Sequence, residues 1–150
     1  MDVAARDWGA AGPPDLLIGS DTVVEHGGRI LEKPADAEEA ARVLRSLSGA
    51  RHRVHSGVAL VLPGQRGAGG GPLVRSFSMT TTVEFDELSD RAIRAYVATG
   101  EPMDKAGSYG IQGPACQFVR GIEGCYFNVM GFPVHRFAVE VGGLVEGGLL

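Results

Sequence analysis

Apolar residues in this chain change their spacing along its length, and few folds accommodate the change. In DLLIGSDTVVEHGGRIL they cluster as in a buried strand over residues 16–18, break at Gly19-Ser20, and resume over 22–25 and 29–31. Gly27-Gly28 between the last two runs is a hairpin-turn signal. Asp21 is then expected where a strand has ended or bent. DAEEAARVLRSLSG switches to helical spacing at Ala40, Val43, Leu44 and Leu47, with Asp36 and Glu39 as a capping pair and Gly49 as the stop. Strand character returns in HRVHSGVALVL, and LVRSFSMTTTVEF alternates Phe77, Met79, Thr81, Val83 and Phe85 on one face. Ser89 can cap a second helix, DRAIRAYVAT, whose stripe is Ile93, Tyr96 and Val97 and whose end is Gly100. QFVRGI and CYFNVMG read as two further strands around a Glu123-Gly124 turn, with a last amphipathic helix from near Pro133. This order predicts a mixed α/β fold.

With 150 residues the chain has room for one compact domain. Its 23 glycines are about twice the usual ~7% share and imply many turns or close backbone approaches. A net charge of −4 offers no general field for a polyanion, so a nucleic-acid polymer is not expected as a partner. Cys116 and Cys125 lack metal or disulfide-framework spacing, and no apolar run approaches the ~20 residues of a membrane span. A cytoplasmic protein is expected, with residues 1–14 as an unstructured leader, 15–141 as the domain and 142–150 as a C-terminal tail.

Several apparent motifs fail on spacing. His52 and His55, three apart in a strand, face opposite ways and read as strand-edge polar residues rather than shared metal ligands. The low-complexity PGQRGAGGGP lacks the Lys-Ser/Thr and following helix of a phosphate loop and reads as a hairpin connection. No serine or cysteine has the context of an activated nucleophile. What remains is a set of polar side chains at turns: Asp21, Thr22, Lys33, Asp104, Lys105 and Gln112. Lys33 precedes Pro34, which holds it extended. Residues 101–113, EPMDKAGSYGIQG, read as a glycine-relieved loop able to wrap a ligand, with Gln112 reading a base edge, Lys105 meeting phosphate and Asp104 meeting a metal or water. A long turn with Asp104 and Lys105 paired in solvent accounts for the same residues.

Taken in order, IGSDTVV, ILEKP, LSGARHRVHSGVAL, TTTVEF, TGEPMDKAGSYGIQG and GCYFNVMGFP resemble the Maf family of nucleoside triphosphate pyrophosphatases, over about residues 15–137. The wording GEPMDKAGSYGIQG and the ending GFP are most similar to the Maf-like domain of acetylserotonin methyltransferase-like proteins. The resemblance implies a Maf/inosine triphosphatase-like mixed sheet flanked by helices. It also implies hydrolysis of a nucleoside triphosphate, dTTP, UTP or a modified nucleotide, to the monophosphate and pyrophosphate, with a divalent Mg or Mn. By the same resemblance Asp21 is the general base, Thr22 and Gln112 set base selectivity, Lys33 contacts phosphate, and Lys105 lines the pocket. Asp21 and Asp104 are the expected metal ligands, and a homodimer is a further expectation.

The family's Ser-x-Ser-Pro-Arg-Arg loop has no counterpart, since the sequence contains neither Ser-Pro nor Arg-Arg. The domain is therefore expected to be N-terminally truncated, with a catalytically weak nucleotide-binding or interaction module as the alternative to a working enzyme.

Overall fold

The computed structural model describes Gly9 and residues 12–150, so most of the expected leader at 1–14 lies outside the described residues. Five strands, β1 (Leu17–His26), β2 (Arg29–Leu31), β3 (Arg51–Arg66), β4 (Pro72–Phe85) and β5 (Val119–Glu123), form one sheet in the order β2-β1-β3-β4-β5. Among the described residues four α-helices accompany them: α1 (Ala37–Leu47), α2 (Asp90–Val97), α3 (Tyr126–Met130) and α4 (Val134–Glu146). The expected mixed α/β class is what the chain adopts. The described residues divide into two compact units, those up to Asp21 with Gly57–Ser78 and Val134–Leu150, and Thr22–Ser56 with Met79–Pro133.

In the second unit the hairpin turn falls at Gly27-Gly28, both at positive φ (58° and 79°), and pairs Val24 with Leu31 and His26 with Arg29. Helix α1 starts where Asp36 accepts a hydrogen bond from the Glu39 N–H at 2.7 Å, while Glu39 reaches back to the Ala35 N–H. Its apolar face buries Leu44 and Leu47 against Ile93 and Tyr96 of α2, Val54 of β3 and Val83 and Phe85 of β4. Each fully buried side chain of this kind contributes about 1.5–3 kcal/mol. Ser89 caps α2 through the Ala92 N–H, as its position predicts.

The first unit holds the outer part of the β3–β4 hairpin and α4. Gly67 and Gly70 close the hairpin loop through Gly67 N–H to Gly71 O at 2.9 Å and Gly70 N–H to Gly67 O at 3.0 Å. Arg136 of α4 lies over the Phe77 ring, 5.5 Å from its centroid, and pairs with Glu140 one turn on. Residues 142–146, placed in the expected tail, continue α4, and Leu144 among them is fully buried.

Four local readings differ from this structure. Strand β1 runs unbroken through Gly19-Ser20, because ladder pairing outweighs the ~0.5–1 kcal/mol a strand glycine forfeits. Asp21 is accordingly inside a strand, not after one. Residues 63–66 extend β3, leaving a loop of only 67–71. CYFNVMG is the short helix α3, not a strand: fully buried Asn128 donates to Val54 O and Thr81 Oγ1, each at 3.0 Å, and Gly131 ends the turn at φ 119°. So short an apolar run carries too little periodicity to distinguish the two. His52 is a core residue rather than a strand-edge one, although His55 does face the other way, toward Thr80.

Candidate active site

The segment 101–113 is built into the core of the second unit instead of looping free. Two 3-10 turns, Glu101–Asp104 and Ala106–Ser108, replace the expected open loop, and a third, Pro114–Phe118, follows it. Tyr109 and Ile111 are buried in the main core cluster. Gly107 lies so close to β1 that a Cβ there would stand 2.9 Å from Val24 Cγ1, and its N–H donates to Glu32 O at 3.2 Å. That bond sets the segment beside Lys33. Ser108 follows at φ 63°, a left-handed conformation rare outside glycine, with its hydroxyl fully buried.

Lys33, exposed beyond β2 and followed by buried Pro34, shares an electrostatic neighbourhood with Asp104 and Lys105. The Lys105 ammonium donates to Asp104 Oδ1 at 2.6 Å. That hydrogen bond, with Lys105's charge and then Lys33's adding to it, holds the Asp104 carboxyl below its ordinary pKa. Lys105 is thus paired with Asp104, and Lys33 lies within electrostatic reach of the same carboxylate. Gln112 is exposed at the third position of a tight turn closed by Gly113 N–H to Gly110 O at 3.2 Å.

Thr22 donates its hydroxyl proton to Gly131 O at 3.0 Å and lies 2.8 Å from Ser56 Oγ. With Asn128 and Thr81 these groups bind β1, β3, β4 and α3 through buried hydroxyls and amides. Asp21, exposed on β1, belongs to the first unit. The structure thus brings Lys33, Asp104 and Lys105 together, sets Gln112 on a turn of the same segment, and gives Thr22 a role inside a hydrogen-bond network.

Among the described residues no three His, Cys, Asp or Glu side chains gather as a metal-ligand set. Mg²⁺ needs no such set, since it is usually held by one or two carboxylates plus water and substrate phosphate. Asp21 and Asp104 are exposed carboxylates, the donor type such a cation takes. A polar depression of about 380 Å³ beside the β1–β2 turn includes Arg51 and Arg53. Both are already paired, Arg51 with Glu123 and Glu84 and Arg53 with Glu25, so this depression offers no free cation to an anion.

Sequence reasoning did not single out Ser56, Tyr96, Glu101 or Asn128. Tyr96 was legible only as part of an apolar stripe, and the partners of Ser56 and Asn128 lie more than thirty residues away in the chain.

The model of the family described as Maf-like protein matches residues 2–142. The chain belongs to this family. Among curated relatives, the dTTP/UTP pyrophosphatase of Pelotomaculum thermopropionicum is 49% identical over 123 residues, covering 82% of this chain and 61% of that protein. That of Thermococcus gammatolerans is 52% identical over 118 residues, 79% of this chain and 60% of that protein. A human protein, named probable bifunctional dTTP/UTP pyrophosphatase/methyltransferase, is 44% identical over 128 residues, 85% of this chain and 21% of its own length. The matched part of this Maf-like chain spans about six-tenths of the length of the two microbial relatives. No helix among its described residues is long and apolar enough to cross a membrane.

Proposed function

We propose that this chain hydrolyses pyrimidine nucleoside triphosphates, dTTP and UTP, to the monophosphate and pyrophosphate. The supporting observation is the grouping of Lys33 with Asp104 and Lys105 of the segment that also presents Gln112, an exposed amide with paired donor and acceptor. The names of the Pelotomaculum and Thermococcus relatives point to the same substrates. In this reading Asp21 accepts the proton of the attacking water. Lys33 and Lys105 meet the phosphates, while Gln112 and Thr22 select the base. A divalent Mg or Mn, held by Asp21 or Asp104 together with phosphate oxygens, would neutralise charge on the departing pyrophosphate. The substrate is a free nucleotide met in the cytoplasm, and two copies of the chain pair as a homodimer.

The test is pyrophosphate release from a panel of nucleoside triphosphates with Mg²⁺ or Mn²⁺, comparing the chain with Asp21→Asn. Turnover of dTTP or UTP that Asp21→Asn abolishes is the expected result, and equal turnover by both proteins would remove Asp21 from the mechanism. The second reading is a nucleotide-binding module with weak turnover. That reading requires nucleotides to raise Tm without pyrophosphate appearing.

A further inference from the structure

The turn that carries Gln112 is held from outside itself. Its first residue, Gly110, donates its N–H to the Tyr96 hydroxyl at 3.2 Å, and the same hydroxyl donates to Glu101 Oε1 at 3.1 Å. A Cβ on Gly110 would lie 3.1 Å from Glu101 Oε1 and 3.2 Å from Lys105 Cε, and one on Gly113 would collide with the Glu101 carboxylate. Glu101 therefore covers both ends of the four-residue turn, tightly at Gly110 and so closely at Gly113 that a side chain there would have to displace it. Glu101 is itself fixed, since its N–H donates to Thr99 Oγ1, whose hydroxyl donates to Tyr96 O at 2.6 Å. Buried Ile111 pins the turn to the core on the inner side, which leaves Gln112 as its outward-facing residue.

We infer that Tyr96 and Glu101 are positioning residues for Gln112, and so set which base the site accepts; this rests on the reading of Gln112 as the base-selecting residue. Neither needs to touch the nucleotide. A side-chain amide discriminates bases only while its donor and acceptor are held in one orientation, and the Tyr96–Glu101 pair restrains the backbone from which Gln112 projects. Buried Tyr96 is suited to this: burial, with the Glu101 charge beside it, raises the phenol pKa, so the hydroxyl stays protonated and keeps donating.

The experiment measures kcat/KM for UTP and CTP, and separately amide hydrogen exchange at Gly110 and Gly113, in the full chain and in Tyr96→Phe, Glu101→Gln, Glu101→Ala and Gly113→Ala. Tyr96→Phe, Glu101→Ala and Gly113→Ala should lower the UTP:CTP ratio by about fivefold or more, on the order of one lost hydrogen bond. Glu101→Gln, which still accepts from Tyr96, should retain the ratio. In Tyr96→Phe the two glycine amides should exchange about tenfold faster while α1 amides do not change. An equal fall for both nucleotides, or unaltered exchange at Gly110 and Gly113, overturns the inference. If the unaltered chain turns over no nucleotide, the proposed function fails, and the exchange measurement still decides whether Tyr96 holds the turn.

Discussion

The hydroxyls of Thr22 and Ser56 lie 2.8 Å apart, linking β1 to β3 one residue after Asp21. Thr22 gives its own proton to Gly131 O, so Ser56 supplies the proton between them, and a longer contact of 3.5 Å runs from Ser56 to Asn128 O. Asn128 completes the network from α3 by donating to Val54 O and Thr81 Oγ1.

Removing these groups should have graded effects on stability. Ser56→Ala deletes one hydrogen bond and should lower unfolding free energy by about 1 kcal/mol. Asn128→Ala leaves Val54 O without that donor, opens a cavity in a fully buried site, and should cost about 2–4 kcal/mol. Urea unfolding of both variants measures the difference; equal effects would show that Asn128 is not the anchor of α3.

A second consequence concerns acid. His52 is buried, its Nε2 2.8 Å from the Tyr109 hydroxyl and its ring edge-on to Phe85 and Tyr109. Burial, aided by the charge of His26, lowers its pKa from 6.5 to about 4. Below pH 6.5 the unfolded chain takes up a proton that the folded chain refuses. Stability from this group is thus complete above pH 6.5 and declines as the pH falls toward 4, by about 3 kcal/mol in all. His52→Gln should flatten this part of the pH–stability curve. An NMR titration placing the His52 pKa near 6.5 would contradict the buried neutral imidazole.

The Asp104–Lys105 pair separates two roles for Asp104. Should it serve chiefly to hold Lys105, Asp104→Asn frees a cation and lowers KM for the triphosphate with kcat little changed. Should it hold the metal, the same variant lowers kcat and raises the Mg²⁺ concentration required. Lys33→Ala, which removes a cation from the same neighbourhood, should raise KM by roughly tenfold, the order of one charge-assisted hydrogen bond. Steady-state kinetics at several Mg²⁺ concentrations gives all three values.

Chelation by EDTA should abolish pyrophosphate release and added Mg²⁺ or Mn²⁺ should restore it, while Tm in the absence of nucleotide does not move. No three-residue ligand cluster exists among the described residues for a metal to support the fold. A fall in Tm on chelation would point to a structural metal instead.

Local chemistry written in consecutive residues was legible. Asp36 and Ser89 cap helices in any context that lets the helix form, and Gly27-Gly28 supplies the positive φ of a hairpin. Alternation at Phe77, Met79, Thr81, Val83 and Phe85 and the helical stripe of α1 fixed those faces as well. The family motifs made Asp21, Thr22, Lys33, Asp104, Lys105 and Gln112 the candidate site residues, whose roles the kinetics above would test. By contrast, α3 read as a strand because its helical form depends on Asn128 reaching Val54 and Thr81, more than forty residues away in the chain. His52 and Tyr109 gave no local sign of their bond, and 101–113 looked like an open loop because its polar composition hid the anchoring of Tyr109 and Ile111. Sequence alone determined caps, turns and apolar periods, since each rests on backbone geometry within a few residues. Only the tertiary structure decided which polar groups lose water together, and therefore which of them must find one another.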